Sequence, residues 1–283
     1  MNYLHERQKQ SQRSCFEINV MSKEDKDLFA QYLCPDEFRP FVDFSRKGLH
    51  YCIYCGKLAD TREHIPPKAF LKKPLPSDLP VLPACKKCNN GFSSDELYVR
   101  AYIECLKAVF ADADLNAIQP LQSDRREIRD AKESVKAALD AKKITFDKRI
   151  GRILLKLAVG HATYELSEGY RSRKWQPLYT KYIIRPTVSE EAWADLEYAE
   201  LLNDKVLPEL GSRVFRKIYI IQPLLKSMDS DDTQKENLCF LDWTDIQDGI
   251  YRYIAYIEGS RLTVKMILMD YLYAEVVFQS DEE

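Results

Sequence analysis

The sequence predicts an α+β protein, and three observations predict it. Two C-x-x-C pairs, Cys52/Cys55 and Cys85/Cys88, bracket a proline-broken segment. Helical periodicity runs through the middle of the chain. From about residue 171, stretches rich in Tyr, Ile and Val with partial alternation favour strands. Residues 1–49 read as a polar tail with a short helix, 50–112 as a compact metal-braced unit, 113–170 as a helical segment and 171–283 as a mostly antiparallel sheet domain.

Residues 1–20 lack the apolar core of a secretory signal. In "SKEDKDLFAQYL", Ser22 opens and Glu24 and Asp25 follow early, as in a capped short helix. Six prolines between Pro66 and Pro83 exclude a long helix there, so this stretch is expected to be extended or looping.

Ser93-Ser94-Asp95-Glu96 reads as a capping box, followed by Val99, Ile103, Leu106 and Phe110 on a buried helical face. Residues 126–143 read as a surface helix with Ile128, Ala131, Val135 and Leu139 inward. A more buried helix should carry Ile150, Leu154, Leu157, His161 and Tyr164 on one stripe, with His161 as a core histidine.

Beyond it, "TKYIIRP", "RVFRKIYIIQPL", "YRYIAYIEG" and "RLTVKMILMDYLYAEVVF" are the predicted strands, with one helix near "SEEAWADLEYAELL". Glu258-Gly259-Ser260 is a hairpin-turn candidate, and "MDSDDTQKEN" an acidic loop.

The chain of 283 residues is 45% hydrophobic and 30% charged, the composition of a soluble globular protein. No apolar run reaches the roughly 20 residues that span a bilayer, so a cytoplasmic location without membrane association is expected. In a reducing compartment, four of eight cysteines in two C-x-x-C pairs point to a metal site. Cys15, Cys34, Cys105 and Cys239 read as isolated thiols. A tetrahedral S4 shell suggests structural Zn2+. A redox protein is the least favoured reading, because two pairs leading into an Asn-led helix do not match a single redox pair.

Net charge is −2 overall, yet Arg62–Lys87 holds six basic residues against two acidic ones, a local +4. Such a patch can contact phosphates; the same lysines also suit a plain solvated surface. Glu63-His64 lies inside the segment between the cysteine pairs, and Asn89 follows the last cysteine. Zinc clamping both ends would let the strand bearing Glu63 and His64 face the helix start bearing Asn89. Two oxygen donors for a hard cation would then sit beside an imidazole.

The ordered run C-x-x-C, acid-His, C-x-x-C-Asn resembles the HNH, or ββα-metal, endonucleases, especially their zinc-containing branch of endonuclease VII type. The resemblance covers about residues 50–110. It implies Cys52, Cys55, Cys85 and Cys88 as zinc ligands and His64 as the general base. It further implies Glu63 and Asn89 as ligands of a catalytic Mg2+ or Mn2+. Lys68, Lys86 and Lys87 would grip flanking phosphates of DNA, or of RNA, without reading sequence.

Two departures stand out. Glu63 replaces the family's usual Asp, and Pro80 in "SDLPVLPAC" stands where the family has a middle Asn. That Asn's role of orienting the histidine would pass to a backbone carbonyl or another side chain. The remaining domains would choose the substrate, or bind a partner protein or a second copy, as in restriction or anti-phage defence effectors. The competing reading is a zinc-stabilised binding module in which Glu63-His64 is inert. Asp95 and Glu96 are assigned to capping, and Asn90 to the turn into the helix.

Overall fold

The computed structural model describes residues 50–115, 118, 121–140, 147–166, 175–197 and 243–280 with side chains, and the backbone of 201–202, 219–221 and 238–240. The chain divides into two compact units, Met1–Pro40 and Phe41–Glu283, and every described residue belongs to the second. The predicted tail, the helix from Ser22, the acidic loop and most of "RVFRKIYIIQPL" lie outside the described residues.

The architecture is α+β. Strands β1 (Thr61–His64) and β2 (Val81–Ala84) form an antiparallel hairpin in which Glu63 pairs with Leu82 and His64 with Val81. Helix α1 (Lys86–Phe110) follows directly, then α2 (Arg126–Asp140) and α3 (Lys148–Leu166). Strand β3 (Trp175–Ile184) and the short α4 (Glu190–Glu197) lead on. Backbone strands β4 (Leu201–Leu202), β5 (Tyr219–Ile221) and β6 (Leu238–Phe240) pair in the order β4-β6-β5. Strands β7 (Thr244–Gln247), β8 (Tyr251–Glu258), β9 (Arg261–Leu268) and β10 (Leu272–Ser280) join β3 in an antiparallel sheet ordered β3-β10-β9-β8-β7. No helix among the described residues is long and apolar enough to cross a membrane.

Short loops set the sheet's register. Gly259, at φ +57, turns β8 into β9, as the Glu258-Gly259-Ser260 reading expects. The run from 261 to 278 is two strands rather than one, because Met269 and Asp270 adopt φ of 57 and 53 and reverse the chain. Asp tolerates this left-handed region better than Met does. Arg185 Nη1 donates to Asp270 Oδ2 at 2.7 Å, and Lys107 Nζ donates to the Met269 carbonyl at 2.9 Å, which helps hold the turn.

The capping-box reading is corrected. α1 starts two turns before Ser93, with Cys85 as its N-cap. Asp60 Oδ1 accepts the Lys86 amide at 2.6 Å and meets an orphan donor of the first turn, so no box at 93–96 is required. Ser93 Oγ instead donates back to the Asn90 carbonyl. Two inward assignments also change. Phe110 is exposed at the end of α1, and in α2 the buried position is Ala138 while Leu139 faces out.

Helix α3 is the pivot of the molecule. Residues 156–166 are all buried, as a helix covered on every side requires. One side faces the sheet, where His161 Nε2 bonds Tyr251 Oη at 2.8 Å and the ring stacks on Tyr253. Tyr253 donates to Glu165. One continuous core, from Phe70 on the hairpin's insertion to Phe278 on β10, joins helices and sheet.

Candidate metal centre and adjoining acid-histidine site

The four sulfurs of Cys52, Cys55, Cys85 and Cys88 lie within 4.8 Å of one another, so they could hold a structural metal ion such as zinc. A tetrahedron of Zn–S bonds of about 2.3 Å has S–S edges of about 3.8 Å, and Cys55 and Cys85 already stand 3.6 Å apart. The first pair sits in a tight knuckle: Cys52 N donates to Lys57 O at 2.7 Å, Gly56 N to Cys52 O at 2.9 Å, and Gly56 takes φ +73. The second pair occupies the N-cap and first turn of α1, where the helix dipole favours thiolate. Ile53 N donates to the Pro83 carbonyl and ties the knuckle to β2.

The Lys57 amide beside Cys55 lowers its thiol to about 7. Burial raises Cys52 and Cys88. Four sulfurs this close ionise together only when a positive ion sits among them.

Asn89, one residue after the last cysteine, links α1 to β1. Its Nδ2 donates to Thr61 Oγ1 at 3.3 Å and to the Arg62 carbonyl at 3.2 Å. The amide oxygen has no partner among the described residues. Thr61 and Glu63 share one face of β1, since alternate strand residues do.

Glu63 is buried, with 4% of its surface exposed. Its Oε1 accepts from Lys156 Nζ of α3 at 3.0 Å, and Glu96 of α1 also accepts from that ammonium. Glu63 Oε2 is buried with no partner. Burial raises the Glu63 carboxyl above its ordinary value; Lys156 opposes this and Glu96 reinforces it. The rings of Phe92 and Tyr54 lie 5.0 and 5.9 Å from the Lys156 nitrogen.

His64 ends β1 and is half-buried. Its Nδ1 is enclosed without a partner, which leaves Nε2 as the nitrogen solvent can reach. Burial, and secondarily the Lys68 charge, lower its pKa below the ordinary 6.5, which favours the uncharged ring. Lys68, Lys86 and Lys87 are exposed.

The 16-residue insertion from 65 to 80 is anchored to the body. Ile65 N donates to the Pro80 carbonyl at 2.8 Å, closing its neck at the position where a middle Asn was expected. Arg100 Nη1 donates to the Ala69 carbonyl at 2.8 Å. Gln247 of β7 accepts from Lys72 N at 2.8 Å and donates to Lys72 O at 2.9 Å.

Sequence reasoning missed Lys156, the ionic role of Glu96 and the bond from Asp60. Lys156 left a signal, a charge inside the apolar run "ILLKLAVG". A buried lysine demands a carboxylate, but the sequence does not say which. Asp95, likewise assigned to capping, pairs with Arg152. No family model, curated protein or solved structure matches the chain.

Proposed function

We propose that the protein is a metal-dependent endonuclease of HNH type that hydrolyses phosphodiester bonds of DNA. The observation that carries this reading is the ββα order itself. A hairpin whose first strand ends in His64 runs into a helix whose first turns bear Asn89, and a four-sulfur cluster joins the two.

Neutral His64 accepts a proton from water at Nε2. The resulting hydroxide oxygen bonds to phosphorus, and the bond from phosphorus to the 3′ oxygen breaks. That oxygen takes a proton from solvent, leaving 3′-hydroxyl and 5′-phosphate ends. Exposed Lys68, Lys86 and Lys87 attract the flanking phosphates. Among the described residues, two oxygens are open to a hard cation: Glu63 Oε2 is buried without a partner, and Asn89 spends its NH2 on β1 and leaves its oxygen without a hydrogen bond. A Mg2+ or Mn2+ held there would supply positive charge to the phosphate and the departing oxygen. The insertion is pinned to the sheet by Gln247, and its Lys72 and Lys73 are exposed. A role as a restriction or anti-phage effector in the cytoplasm, with a partner protein or a second copy, rests on analogy with such nucleases.

End-labelled duplex DNA and RNA, incubated with the protein and Mg2+ or Mn2+, test the proposal. Cleavage giving 5′-phosphate ends is expected; 2′,3′-cyclic phosphate ends, or intact substrate in both metals, would contradict it.

One observation favours a second reading. The Lys156 ammonium already neutralises Glu63, as a structural ion pair would. A zinc-braced binding module with an inert Glu63-His64 would bind nucleic acid or a protein equally well with and without His64.

A further inference from the structure

The residue on each side of His64 is held by the same distant helix. Glu63 points inward to Lys156 of α3 at 3.0 Å. Ile65 is also buried and packs against Gly160, one turn further along α3. A Cβ built on Gly160 would stand 2.7 Å from Ile65 Cδ1, so the helix backbone itself forms the seat for that side chain. Ile65 is enclosed further by Ile53, Leu82 and Tyr164. Side chains alternate across an extended chain. With 63 and 65 drawn inward and buried, the ring at 64 is turned the other way and is only half-buried.

We propose that Lys156 and Gly160 are positioning residues for His64, Lys156 by holding Glu63 and Gly160 by receiving Ile65. This rests on the reading of His64 as the general base, but its structural content is independent of turnover. Glu96 completes the device, because it shares the Lys156 ammonium and fixes the α1 side of the same contact. The arrangement also supplies what Pro80 removes: the histidine's orientation comes from the backbone on both sides of it, not from a side chain bonded to the ring. That agrees with the unpartnered Nδ1. General bases tolerate little misplacement, since a shift of about 1 Å costs up to roughly a hundredfold in rate.

The test uses the full chain labelled with 15N-histidine. Imidazole spectra are recorded for the parent and for Lys156→Met, Lys156→Arg, Gly160→Ala and Gly160→Ala/Ile65→Val, alongside zinc content and nicking kinetics. In Lys156→Met, the His64 ring signals are expected to move while zinc stays bound. Nicking should fall at least tenfold in kcat with KM little changed, and Lys156→Arg should recover part of the loss. Gly160→Ala should move the same signals less, and adding Ile65→Val, which removes Cδ1, should return them. Ring signals that stay at parental positions in both Lys156→Met and Gly160→Ala would overturn the proposal. Should Lys156→Met fail to fold, the Gly160→Ala and double-variant spectra decide alone. If the parent cleaves nothing, the endonuclease reading fails and the ring spectra still judge the positioning.

Discussion

Lys156 Nζ lies 3.0 Å from Glu63 Oε1, joining the middle of α3 to β1 across 93 residues of sequence, with both side chains almost wholly out of solvent. A charge in such a place has few alternatives. Removing one partner of a buried pair leaves the other uncompensated, typically at about 3–5 kcal/mol. Lys156→Met should therefore lower stability by about that amount in urea denaturation. The double variant Lys156→Met/Glu63→Gln should lose clearly less than the sum of the single changes. Additive losses would mean that the two side chains do not act as a pair.

The sulfur cluster should carry about one zinc per chain in protein purified without chelator. Cys88→Ser should lose that zinc. Chelation of the parent should lower its melting temperature, because metal-binding free energy is folding free energy in such a knuckle. Elemental analysis and a thermal scan with and without chelator provide the check. Zinc-free parent protein with unchanged melting would contradict the assignment.

His64 gives the stability a pH dependence whose sign is fixed. Its pKa is held below 6.5 in the fold by burial and by Lys68, whereas the unfolded chain takes up the proton at about 6.5. Between those two values the unfolded state binds more protons. The contribution is intact above pH 6.5 and is lost as pH falls through the folded value. His64→Gln should therefore lose less stability than the parent between pH 7.5 and 5.5, as read from urea midpoints.

Asp60 accepts the Lys86 amide at 2.6 Å, in place of a helix-capping side chain at Cys85. Asp60→Ala should cost about 1 kcal/mol and leave zinc content unchanged. A melting curve with a zinc assay separates this from loss of the cluster.

Much of this was legible in the sequence, for identifiable reasons. The cysteine spacing announced a four-sulfur cluster because sulfur has few other uses in such a pattern, and the apolar stripe from Ile150 to Tyr164 announced α3. The start of α1 was misread because Ser93 and Glu96 imitate a capping box, while the true start is set by Asp60, 26 residues before Lys86. The run from 261 to 278 looked continuous because Met269 and Asp270 carry no turn signature as strong as glycine's. At the site, Glu63 and His64 stood out as a dipeptide. Lys156, a charge in an apolar run, signalled only that it needed a carboxylate, and Gly160 signalled nothing, because the partners of both are set by what the fold places against them.

The central claim is that His64 is the base of a phosphodiester hydrolysis, and conversion of supercoiled plasmid tests it most directly. Parent protein and His64→Ala, both loaded with zinc, are compared in Mn2+ at equal concentration. General-base catalysis contributes about 10²–10⁴-fold, so the parent should nick the plasmid and the variant should be at least a hundredfold slower while binding DNA equally. Equal nicking by the two proteins, or DNA bound by both and cut by neither, would contradict the account.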